Sequence, residues 1–121
     1  WTHVTSPFFD HTDYNLAIKK YQQNLKKFDS LMSVTKIQEF IFDKKNPINF
    51  NKKIEKWPQT QTLRELFVVT SALFINSRKN YIKQKDRIGT KPYLLFTEKI
   101  KSFDIDWPQD FKIAENIYES F

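Results

Sequence analysis

The sequence has no cysteine, which removes disulfide scaffolds, thiolate metal sites and cysteine nucleophiles from consideration. It has a single glycine, Gly89. One glycine cannot build a glycine-rich phosphate loop, a dinucleotide fingerprint or a sharp nucleophile turn, and it argues against a turn-rich all-β fold. No apolar stretch approaches the roughly 20 residues that a membrane-spanning helix requires. The longest run, Leu66 to Ile75, is interrupted by Thr70 and Ser71 and reads as buried core. No cleavable signal pattern opens the chain, which begins at Trp1, so the sequence reads as an excerpt of a longer intracellular protein, nuclear or cytoplasmic.

Catalytic groups are equally sparse. His3 and His11 are the only histidines, and both lie in an irregular opening segment. Beside them, Asp10 and Asp13 are more simply a solvated turn and a helix cap than metal ligands. Glu39 and Asp43 come closest to a carboxylate dyad, but Lys36, Lys44 and Lys45 surround them, a setting that does not suit an acid catalyst. The expectation is therefore a non-enzymatic domain with no cofactor, no metal and no small-molecule substrate.

What the chain does have is aromatic side chains and positive charge. Its 121 residues carry 12 Phe, 5 Tyr and 3 Trp, too many apolar rings for a disordered segment and suited to one folded domain. Lys and Arg number 20 against 14 Asp and Glu, a net charge of +6. The charge is uneven: residues 1–101 hold 19 basic against 9 acidic groups, whereas residues 102–121 hold Lys112 against five carboxylates. A basic body attracts polyanions or acidic partners because its summed field steers encounter.

Periodicity predicts helices. Residues 1–12 read as an extended lead-in packed on the body through Phe8 and Phe9, followed by a single helical domain over 13–121. After Asp13 as N-cap, Tyr14, Ala17, Ile18, Tyr21, Leu25, Phe28, Leu31 and Met32 recur at helical spacing. A second helix is predicted from Ser33 or Thr35 to the residues before Pro47, and a short turn over 51–57. A central helix of about 24 residues should run from Thr62 to just before Gly89, which would end it in the left-handed conformation. Pro92 should open the next helix at its first position, and Asp106 with Pro108 the last. The predicted fold is all-α, a compact bundle or short stack of five to six helices with a long central helix. Trp57-Pro58-Gln59 and Trp107-Pro108-Gln109 echo each other 50 residues apart, which reads as shared helix-start chemistry rather than a repeat.

The best-defined binding signal is the segment 78–91, where Arg78, Lys79, Lys83, Lys85, Arg87 and Lys91 face Asp86 alone. On one continuous helix Lys79, Lys83 and Arg87 would form a basic ridge anchored by Ile82, suited to a phosphate backbone. Tyr81 on the same stretch would stack on a base or cap the core. Lys52 and Lys53, with Lys44, Lys45 and Lys56, would extend the surface. The leading expectation is a module that contacts nucleic acid, or a chromatin or ribonucleoprotein assembly, with little base discrimination. The rival is a protein-docking domain that receives an acidic or amphipathic peptide on aromatics such as Trp57.

Overall fold

A computed structural model describes all 121 residues and gives a mixed α/β fold, not the all-α bundle predicted. Three α-helices accompany a three-stranded sheet: α1 (His11–Asn24), β1 (Ser30–Ile37), β2 (Leu66–Asn76), α2 (Arg78–Gln84), β3 (Pro92–Phe96) and α3 (Pro108–Glu119), with a 3-10 turn at Thr60–Thr62. The sheet order is β2-β1-β3. β1 and β3 run parallel in a register that pairs Ser30 with Pro92 and Val34 with Phe96. By backbone contacts the chain divides into two units, Trp1–Thr35 with Val69–Phe121, and Lys36–Val68.

In the first unit Phe8 and Phe9 are buried, and Phe9 meets Tyr14 edge-on with centroids 4.9 Å apart. Asp10, not Asp13, caps α1. Its carboxylate accepts the Thr12 N–H (2.8 Å), while Asp13 at the third helical position accepts the N–H of Asp10 (2.9 Å). Lys101 bonds both acids, and that contact above all holds the Asp10 carboxyl well below the usual carboxylate range. The helix stops at Asn24 rather than continuing to Met32. Asn24 turns back on Lys20 through its side chain (2.8 Å), and its carbonyl accepts the N–H of Lys27 and Phe28. Ala17 enters the core with Phe9, Leu31, Ala72, Leu73 and Leu95, and Tyr14 and Tyr21 pack against them.

Three predicted helices are strands or parts of strands. Ser30–Ile37 is β1, where the sequence pattern placed the end of one helix and the start of another. Its first five residues are buried or nearly so without alternation, so a strand covered on both faces carries no period-2 signal. The central rod is absent: Leu66–Asn76 is β2, Ser77 caps a new helix through its hydroxyl to Asn80 N–H (3.2 Å), and α2 is only seven residues long. The β-branched and aromatic residues Val68, Val69, Phe74 and Ile75 suit a pleated surface, and their preference outweighs the helical reading based on length. Pro92 opens β3, where a missing N–H is tolerated at the first residue of a strand. The last helix forms over the expected stretch with Pro108 at its first position, but Trp107 rather than Asp106 is its N-cap, its N–H donating to the Asp110 carboxylate (2.8 Å). The first Trp-Pro-Gln copy leads only into the 3-10 turn, so the echo is not a structural repeat.

Within β2, Ser71 adopts a left-handed backbone (φ 57). The Ser33 hydroxyl of β1 bonds the chain on both sides of that residue. It accepts the Leu73 N–H (3.0 Å) and the Thr70 hydroxyl (2.8 Å), and donates to the Leu73 carbonyl (3.2 Å). One donor and two acceptors exhaust what a hydroxyl can do, and Ser33 is fully buried.

The second unit has little regular structure. A tight turn, Asp43 to Asn46, closes a two-residue bridge between Phe42 and Pro47, and the Asp43 carboxylate accepts the N–H of Asn46 and Lys45, which lowers its pKa. Buried Asn49 ties the unit together: its amide donates to the Glu39 carbonyl (2.6 Å) and accepts the Ile41 N–H (3.1 Å). Phe40, Phe42, Phe50 and Trp57 form a chain of edge-to-face contacts with centroids 5.2–5.6 Å apart.

Candidate nucleic-acid interface

Residues 78–91 divide into three parts with different environments. α2 carries the first. Asn80, Tyr81 and Gln84 are half-buried on its inner side; Asn80 donates to the Asp29 carbonyl (3.2 Å) and Gln84 to the Thr90 hydroxyl (3.0 Å). Arg78, Lys79, Lys83 and Ile82 form the opposite, exposed side. Ile82 therefore does not anchor a ridge: at 64% exposure it stands among the cations. Tyr81 takes the anchoring place, and burial raises the pKa of its hydroxyl.

Lys85 begins the second part. It caps α2 in the left-handed conformation (φ 53), the role the sequence assigned to Gly89, and its own side chain is exposed. The chain then turns, so Arg87 leaves the line of Lys79 and Lys83 on which the sequence placed it. Its guanidinium lies 4.5 Å from the Phe74 ring centroid and donates to His3 Nε2 (3.0 Å).

The third part is pinned by Asp29. Its carboxylate accepts the N–H of Thr90 (2.9 Å), the N–H of Lys91 (3.0 Å) and the Ser30 hydroxyl (2.9 Å), while Ser30 Oγ accepts the Gly89 N–H (2.9 Å). Successive amides of this kind make an anion cradle, and here the protein's own carboxylate fills it. Desolvation pushes the Asp29 pKa up, but the bonds from Lys91, Ser30 and Thr90 together outweigh it and hold the group below its ordinary value. A depressed folded-state pKa supplies stability above the unfolded value, and that stability is lost as pH falls through the folded one. Urea titrations should thus show Asp29→Asn less stable than the wild type at pH 7, with the gap closing below about pH 4. A gap independent of pH would show that the carboxylate charge plays no part. Lys91 is exposed, with Nζ 5.7 Å above the Phe28 ring.

Of the other predicted residues, Lys52 holds Nζ 4.8 Å over Phe42, Lys53 is exposed in the turn after Asn51, and Trp57 is 72% exposed with one contact to Phe40. These belong to the second unit. Ion pairing is rare: only Lys36, Lys101 and Lys112 meet a carboxylate among the 20 cationic side chains. The acidic α3 makes one such pair, Lys112 to Glu115 within itself, and leaves Arg78, Lys79, Lys83 and Lys85 unpaired.

Sequence reasoning missed Asp29, Ser30, His3 and Trp1. The Asp29-Ser30 dipeptide is a recognisable start signal, but its partners lie about 60 residues away. The sequence matches no protein-family model and no curated protein. No helix is long and apolar enough to cross a membrane, and no group of three or more His, Asp or Glu side chains is arranged to hold a metal ion.

Proposed function

We propose that the chain is a non-enzymatic module that binds the phosphate backbone of nucleic acid through the outer face of α2. The observation that carries this reading is the exposed, unpaired set Arg78, Lys79, Lys83 and Lys85. Helix stability does not account for it. Arg78 and Lys79 occupy the first turn of α2, which has no acidic residue, and cations there oppose the macrodipole. Lys83 and Lys85 at the other end do complement it, so only half the set has a purely local explanation. Four mobile cations around one short helix suit backbone phosphates, each contact displacing a condensed counterion. Such a partner fits a nuclear or cytoplasmic setting, alone or within a chromatin or ribonucleoprotein assembly.

Replacing Arg78, Lys79, Lys83 and Lys85 together by glutamine tests the reading by fluorescence anisotropy across a salt series. On a single strand, four lost contacts should flatten the slope of log affinity against log salt by about 3. The melting temperature should hold, because two charges that oppose the helix macrodipole and two that complement it leave together. An unchanged slope would refute the reading.

A further inference from the structure

We infer that this interface takes a single strand, and that one of its nucleotides is bound in two adjoining depressions around Trp1 and Tyr81. The inference rests on the backbone-binding reading above and adds a base-binding component to it. The first depression, about 340 Å³, is lined by Trp1, Tyr81, Lys85, Asp86 and Arg87. The second, about 280 Å³, shares Trp1 and Tyr81 and is otherwise mostly apolar, with Ile18, Leu73 and Phe74 among its walls. One depression is cationic and the other apolar, which is the division a nucleotide presents: a charged phosphate beside a flat, weakly polar base.

The side chains are held in the way such a ligand needs. Lys85 belongs both to the exposed cation set and to the first depression, so backbone phosphates on α2 lead into it. Arg87 is oriented by the Phe74 ring and His3, and uses one of its five N–H donors on His3, leaving others for a phosphate. Trp1 is 65% exposed, and its ring meets His3 only at a tilted 6.3 Å, so it does not stack face to face on that neighbour. Removing its side chain leaves intact the backbone bond from Phe74 N–H to the Trp1 carbonyl (2.8 Å). The second depression also contains Asn76, whose Oδ1 is held by the Ser77 N–H and the Asn80 amide. In a duplex both faces of a base are already stacked, so only an unpaired strand can offer one to this site.

The test uses two 12-nucleotide DNA strands of equal charge, one of thymidines and one wholly abasic, titrated at fixed low salt against the wild-type chain and Trp1→Leu. Stacking of one base predicts that the wild type binds the thymidine strand about tenfold more tightly than the abasic one. Trp1→Leu should lose that preference while keeping the abasic affinity. If the wild type binds both strands equally, the base site is overturned and the backbone reading stands. Binding of neither strand overturns both. A thymidine preference that survives Trp1→Leu also overturns the site assigned here. The wild-type comparison stands alone if the variant does not fold. Thymidine monophosphate should compete only weakly; competition at the affinity of the strand would overturn the assignment to a strand.

Discussion

Gly89→Ala is expected to destabilise the protein by about 3 kcal/mol, the upper end of what one added methyl costs in a packed site. Gly89 has an ordinary negative φ, so the cost does not come from backbone strain. It comes from close approach. A Cβ at this position would lie 2.3 Å from Asp29 Oδ1 and 2.5 Å from Ser30 Oγ. Neither atom is free to move. Asp29 Oδ1 holds the Lys91 N–H and the Ser30 hydroxyl, and Ser30 Oγ holds the N–H of Gly89 itself. Relief requires breaking bonds that set the parallel register, because Asp29 N–H also donates to the Lys91 carbonyl (3.1 Å) one step before Ser30 meets Pro92. Differential scanning calorimetry should record a fall in Tm of roughly 10 °C. The two sites should also be coupled: in an Asp29→Ala background, Gly89→Ala should cost clearly less than it does alone. A fall of under 2 °C, or strict additivity, would show that the contact does not hold this loop.

Ser33→Ala is expected to cost a similar amount for a different reason. The substitution creates almost no void, so packing predicts a small effect. The hydroxyl, however, is the partner of three buried groups: the Leu73 N–H, the Leu73 carbonyl and the Thr70 hydroxyl. Each buried polar group left unpaired costs about 1–3 kcal/mol, and relaxation recovers part of that, so a net loss of about 3 kcal/mol follows. Thr70→Val removes only one of the three bonds and frees no backbone group, so it should cost about 1 kcal/mol. The ratio of the two losses in urea denaturation is the diagnostic. Equal losses would mean that the Leu73 backbone groups find other partners when Ser33 is gone.

The same residues explain why the sequence misled. Helical spacing through Phe28, Leu31 and Met32 is a by-product of α1 being followed closely by a doubly covered strand. Leu31 and Val34 are fully buried, and Ser30 and Ser33 beside them are buried too because their hydroxyls are used. Polar residues in a buried strand imitate the gaps between helical stripes. In Leu66–Asn76 the sign that separates strand from helix is Asn76-Ser77, a strand end and a helix cap, which an unbroken apolar count passes over. Pro92 is ambiguous in the same way, since proline opens both helices and strands. Two helices were legible in position though not in their caps: α3 from Pro108 in its first turn, where Trp107 and not Asp106 is the cap, and α1 from the stripe of Tyr14, Ala17 and Tyr21, where Asp10 and not Asp13 is the cap.

For the candidate interface, the spacing of Arg78, Lys79 and Lys83 on one helix was legible because it depends on seven consecutive residues. Arg87 was misplaced because Lys85 adopts a left-handed backbone, and one such residue redirects everything after it. The depressions around Trp1 and Tyr81 were beyond reach, since their walls come from chain segments as far apart as residues 1 and 87.

By itself the sequence determined the cation excess, the absence of thiol and glycine-loop chemistry, and the positions of the first and last helices, because each depends on composition or on a few neighbouring residues. Tertiary structure decided which apolar runs became strands, which cations stayed in solvent, and where an internal carboxylate closed the amide cradle beside them. Those outcomes depend on hydrogen bonds and burial between residues 40 to 84 positions apart, such as Ser33 with Leu73, Asp29 with Thr90 and Arg87 with His3. A local pattern carries no information about such partners until the chain has brought them together.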